Sequence, residues 1–231
     1  MKVAVCLSGQ PRFINESCNY LFNSLVPAEV DYFVHFWSNN ESETKNILDK
    51  YNPVSYIVEK QKDFETDNVL NNNHGRAKKT SQDSSITLSS FYSRYIVGKL
   101  LKEYTDIHGD IYDFYIWTRS DFCPLSNITS HLNNSEMFYS AYVEGDMWNN
   151  DHFNTVLACS NLKNMLHYFN LYNNYQRLFD NGIDHCDHRL TMAHLKEQIT
   201  NYKQILGNGC MSGNDSCREW AFMRKGGLSK S

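Results

Sequence analysis

The sequence has no long apolar run. Nothing in its 231 residues approaches the ~18 consecutive apolar residues that a membrane-crossing helix needs. Met1–Lys2 leads straight into Val3–Ala4–Val5–Cys6–Leu7, which is too short and too soon interrupted for a secretory signal. A soluble, cytoplasmic chain is the expectation. An excess of positive charge is also missing: 22 Lys and Arg stand against 26 Asp and Glu, for a net charge of −4. The longest basic cluster, Arg76–Ala77–Lys78–Lys79, reads as a solvated loop, so the footprint of a nucleic-acid binder is absent. The seven cysteines are odd in number and scattered, which excludes a disulfide framework. His185, Cys186 and His188 make one zinc-ligand group without a second, because Cys210 and Cys217 are too widely spaced to complete it. The glycine fingerprints of dinucleotide sites and the Gly-Lys-Ser/Thr of a P-loop are both lacking after Gly9.

What the chain does have is apolar and aromatic residues, 41% and 14% of the total, enough for a sizeable core. Their spacing alternates between strand and helix. Lys2–Leu7, Val30–Trp37 and Ser55–Glu59 read as strands, and the stretches 12–25 and 43–51 between them as helices. A polar loop follows from Gln61 to Ser85, poor in large apolar residues and suited to a lid. Helical spacing then recurs from Ile86 to Tyr104, and Ile111–Thr118 is a long buried strand. Further strands are expected at 136–142 and 153–158, and helices at 162–179 and 187–202. From Gly207 the tail reads as irregular. Such alternation predicts an α/β fold, with one domain over 1–206, a mostly parallel central sheet and helices on both faces.

Three places can carry chemistry. Ser8–Gly9–Gln10–Pro11–Arg12 directly follows the first strand, where ligands bind in open α/β sheets. The small residues allow close approach to the backbone, and the planar fork of Arg12 suits a phosphate. Thr118–Arg119–Ser120–Asp121 ends the long apolar strand with an arginine and a carboxylate, a hard oxygen ligand for a divalent cation. Asp184–His185–Cys186–Asp187–His188 is the densest polar cluster, and Asp187 suits a helix N-cap ahead of the amphipathic run that follows.

The order of these stretches resembles the GT-A-type glycosyltransferases, in particular short surface-polysaccharide and viral sugar transferases. The resemblance runs through Ser8–Gly9–x–x–Arg12, Asp31–Tyr32–Phe33–Val34–His35–Phe36–Trp37, Phe91–Tyr92–Ser93–Arg94, Tyr112 to Asp121 and Asp151–His152–Phe153, over roughly residues 2 to 195. It implies transfer of a sugar from a nucleoside diphosphate sugar to a glycan or other acceptor, with Mn²⁺ or Mg²⁺ as the accompanying ion. Ser8, Gly9, Arg12, His35 and Arg94 are then expected at the nucleotide. Arg119–Ser120–Asp121 takes the place of the family's Asp-x-Asp, with Asp121 as the metal contact and Arg119 in place of the first Asp, facing the diphosphate or a hydrogen-bonding partner on the donor sugar. By the same resemblance, Asp151 faces the donor sugar or the acceptor, and Asp187 takes the acceptor's proton. Two other classes share such a sheet. One is a nucleotidyltransferase, for which the Ser8–Arg12 loop is too short and too poor in glycine. The other is a sugar-nucleotide-binding domain that has lost the reaction.

Overall fold

Strand and helix alternate from the first residues, as their apolar spacing requires. The computed structural model describes residues 1–64, 81–142, 153–183, 186–207, 219–225 and 227–229. In chain order these form β1 (Lys2–Gly9), α1 (Ile14–Leu25), β2 (Glu29–Trp37), α2 (Glu41–Tyr51), β3 (Ser55–Glu59) and α3 (Ser81–His108). There follow β4 (Phe114–Thr118), β5 (Phe122–Pro124), β6 (Phe138–Ala141), β7 (Leu157–Ser160), α4 (Leu162–Phe169), α5 (Leu171–Asp180), α6 (Asp187–Lys196), β8 (Tyr202–Ile205), β9 (Trp220–Arg224) and β10 (Gly227–Ser229). Among the described residues no helix is long and apolar enough to cross a membrane, and the five described cysteines are free thiols.

The central sheet has seven strands in the order β3-β2-β1-β4-β7-β6-β8. Pairing is parallel from β3 to β4 and between β6 and β8; β7 alone runs the other way. Alternation along β1 explains the layers. Val3, Val5 and Leu7 pack with Ile14, Cys18, Leu21 and Leu25 of α1 and with Ile47 and Tyr51 of α2. Ala4 and Cys6 point the opposite way, toward Val97 and Leu101 of α3 and Met165 of α4. Helices therefore cover both faces, as expected. On the second face α3 lies close against α4 because residue 98 is glycine: a Cβ there would meet the Cβ of Phe169 at 2.5 Å.

Several boundaries differ from the sequence reading. The expected loop at 61–85 falls mostly outside the described residues, and from Ser81 the chain is already helical. The single helix expected at 162–179 is two, divided at Asn170, whose N–H turns back to the carbonyls of Leu166 and His167. The helix from Asp187 ends at Lys196, and Tyr202 opens β8, a strand stabilised by parallel pairing with the distant β6. The tail from Gly207, expected to be irregular, contributes β9 and β10. With β5 they form a small antiparallel sheet. Trp220 and Phe222 of this sheet are buried in the core beneath α1.

Candidate functional site

The parallel strands β1, β2 and β4 end at Gly9, Trp37 and Thr118. Chain order reverses beside β1, since β2 and β3 lie to one side of it and β4 to the other. Loops leaving β1 and β4 therefore diverge, and a crevice opens beyond their carboxyl ends. A cleft of about 490 Å³ fills that position. Six residues expected from sequence meet there: Ser8, Gly9, Arg12, Arg119, Asp121 and Asp187.

The floor is built from the two strand-end loops, tied to each other. Gly9 has φ 110°, a conformation that side chains disfavour, and no atom lies within 4 Å of where a Cβ would stand. The need for glycine here is torsional, and the backbone stays open to a ligand. Ser120, which sequence reasoning passed over, joins the loops. Its hydroxyl donates to the carbonyl of Gln10 and accepts the N–H of Arg12, both at 2.9 Å. Ser17 of α1 donates to the Ser120 carbonyl at 2.5 Å. Trp117 closes the floor by donating its Nε1–H to the Ser8 hydroxyl at 2.8 Å.

On one side of the floor stands an arginine–carboxylate pair. Arg119 donates Nε–H to Asp121 Oδ1 at 2.9 Å and Nη2–H to Oδ2 at 2.8 Å. Arg224 of β9 donates to the same Oδ2 at 3.0 Å. The Asp121 side chain is 2% exposed, whereas Arg119 and Arg224 are 32% and 40% exposed. Both guanidinium groups rest against Phe222, at 4.9 and 4.6 Å from its ring centre. Sequence reasoning missed Arg224 because β9 was not foreseen. The expected Mn²⁺ or Mg²⁺ at Asp121 fits this arrangement poorly. A hard cation requires free oxygen ligands, and both oxygens of Asp121 are held by guanidinium groups that would repel it.

On the other side the polarity is inverted. Arg94, expected at the nucleotide, does not line the cleft. It is 2% exposed, between Phe91, Trp117 and Tyr168. Its Nη2 donates to Asp187 Oδ1 at 2.6 Å and its Nη1 to the Tyr168 hydroxyl at 3.1 Å. Thr191 adds a bond to the same Oδ1 at 3.0 Å. Asp187 is the first residue of α6 rather than its N-cap, a place taken by Cys186 without a side-chain bond. It reaches the cleft with 22% of its side chain exposed, and among the described residues both of its bonds fall on Oδ1.

His35, also expected at the nucleotide, lies in the core instead. Its Nδ1 faces Ser93 Oγ at 2.6 Å and its Nε2 faces Glu59 at 3.2 Å, with the Trp37 ring edge-on at 4.7 Å. Burial pushes its pKa down to about 4 against the opposing pull of Glu59. Asp151 lies outside the described residues, as do Asp184 and His185. His188, weighed from sequence only as a zinc ligand, lines the cleft beside Asp187.

No family model matches the sequence, and no curated protein resembles it. Among solved structures, the chain is similar to the glycosyltransferase GlyE of Streptococcus pneumoniae TIGR4, at 9% sequence identity and a TM-score of 0.47. The alignment covers 88% of this chain and 44% of that one, so this chain spans less than half the length of that protein.

Proposed function

We propose that this chain transfers a sugar from a nucleoside diphosphate sugar to a hydroxyl of a glycan or similar acceptor. One observation carries the reading: a single cleft at the switch point of a parallel sheet has guanidinium groups on one wall and a carboxylate on the other. A diphosphate leaving group and an acceptor proton call for those two charges.

The geometry supports the following roles. As the bond from the anomeric carbon to the diphosphate oxygen breaks, negative charge grows on the leaving group. Groups that bind this charge more strongly in the transition state than in the ground state lower the barrier. A guanidinium has five N–H donors. Asp121 accepts two from Arg119, which leaves three for phosphate oxygens. Asp121 and Arg224 hold that fork in place, Arg12 adds a second cation, and the open backbone at Gly9 receives the phosphates. Asp187, fixed through Oδ1 by Arg94 and Thr191, takes the proton of the attacking hydroxyl through Oδ2. In this reading the arginines supply the charge compensation assigned to a metal by the family resemblance.

A panel of nucleoside diphosphates and nucleotide sugars tests the proposal by thermal shift, followed by assay of acceptor-dependent diphosphate release with and without added Mn²⁺ or Mg²⁺. A ligand at 100 times its dissociation constant stabilises by ~2.7 kcal/mol. The expected result is stabilisation by at least one nucleotide, with turnover that needs no added Mn²⁺ or Mg²⁺. Binding without turnover would make the chain a sugar-nucleotide-binding module, and no stabilisation by any member would remove the proposal.

A further inference from the structure

The far end of α6 carries a second polar cluster, which the cleft does not use. His167 of α4 and His194 of α6 stack with ring centres 4.0 Å apart. Each ring bonds the other residue's backbone: His167 Nε2–H donates to the His194 carbonyl at 2.7 Å, and His194 Nε2–H to the His167 carbonyl at 2.8 Å. A carbonyl only accepts, so Nε2 carries the proton in both rings, and Nδ1 of each neutral ring is a lone pair. The His194 side chain is 2% exposed, and its Nδ1 is buried without a hydrogen-bond partner among the described residues. Glu197 Oε2 faces that nitrogen at 3.5 Å. A buried lone pair set against a carboxylate is unfavourable unless a positive charge lies between them.

We propose that His167, His194 and Glu197 bind a divalent cation of the zinc class. One ligand atom from each lies within 4.8 Å of the others, and an ion would draw them toward the ~3.4 Å separations of tetrahedral zinc. Two imidazole nitrogens and one carboxylate oxygen suit zinc, with water as the fourth ligand, and disfavour Mg²⁺ and Ca²⁺. The outer shell is already built. Both imidazoles give their other N–H to a backbone carbonyl, which sets tautomer and orientation. Arg177 of α5, 49% exposed, bonds both oxygens of Glu197 at 2.7 and 2.9 Å, and it turns out to water to free an oxygen for the ion. The ion would fasten α6 to α4, about two helical turns, or ~10 Å, from Asp187 on the same helix. Its role is to hold the helix that presents Asp187 to the cleft.

Titration of the metal-free full chain with Co²⁺, followed by its visible absorption and by competition with Zn²⁺, tests this site. One ion per chain is expected. Glu197→Gln keeps the shape and the fold, and should weaken binding at least ~10-fold, as loss of a ligand or its partner does. His167→Gln should do the same, and Cys186→Ser should bind as the parent does. No binding by the parent would overturn the proposal. So would undiminished binding by both ligand variants, or loss of binding in Cys186→Ser, which would place the ion elsewhere.

Discussion

The two walls of the cleft are built from the same pair of residue types with burial reversed. Across the floor from each other stand Arg94–Asp187 and Arg119–Asp121, the latter reinforced by Arg224. In the first pair the arginine is buried under aromatic rings and the acid meets the cleft. In the second the acid is buried and the arginines reach solvent. The buried partner fixes the exposed one and neutralises it in the resting protein, and the exposed partner decides which charge a ligand meets. The difference teaches that an ion pair's contribution to a site depends on which member is desolvated, and that a composition of Asp and Arg does not reveal this.

The strongest way to test the division of roles is Asp187→Asn, which retains an oxygen for Arg94 and Thr191. Transfer should fall by ~10²–10⁴-fold, the range for a lost general base, while calorimetry shows unchanged affinity for nucleoside diphosphate. Equal losses in rate and affinity would show that both walls grip the donor. Stability offers a second test. Asp187→Ala leaves Arg94 charged and buried, at a cost of ~3–5 kcal/mol. Asp121→Ala leaves arginines that can turn to water, at a cost nearer ~1–3 kcal/mol. Urea melts that reverse this order would contradict the burial asymmetry.

Arg119→Ala should lower transfer by ~10²–10³-fold, as removal of one electrostatic donor to a developing charge does, with Arg224 still pairing Asp121. A rate unchanged in this variant would remove Arg119 from the chemistry. His35 belongs to neither wall and sets a pH-dependent background. Burial holds its pKa at about 4, below the ordinary value, so on acidification the unfolded chain takes up the proton first. The stability this neutral ring contributes is present above about pH 6.5 and is lost as pH falls toward 4, on the order of 3 kcal/mol. Melts across that window should show the loss, and His35→Asn should reduce it, leaving the part that buried His194 contributes. Arg12→Ala should weaken nucleotide binding by ~1.5–3 kcal/mol. No change would show that Arg119 alone meets the diphosphate.

Much of the cleft floor was legible because it is local. Val3–Leu7 and Phe114–Thr118 are apolar on both faces, which marks them as buried parallel strands. Whatever follows such strands must emerge at one edge of the sheet, so Ser8, Gly9, Arg12, Arg119 and Asp121 were readable as neighbours in space. Asp187 was readable as a polar residue opening an amphipathic helix. His35 and Arg94 sit on β2 and α3, the elements that bring Trp37 and Ser90 to the cleft, and which way they turn depends on what packs around them.

Strand and helix identity, the mostly parallel sheet and the edge that carries the site follow from spacing along the chain, because side-chain period and burial are set by near neighbours. Which charge faces the ligand required the folded chain. Arg94 meets Asp187 across 93 residues and Arg224 meets Asp121 across 103. The short strand that carries Arg224 exists through pairing with β5, about a hundred positions earlier. Desolvation depends on everything packed around a group, and no local pattern encodes that.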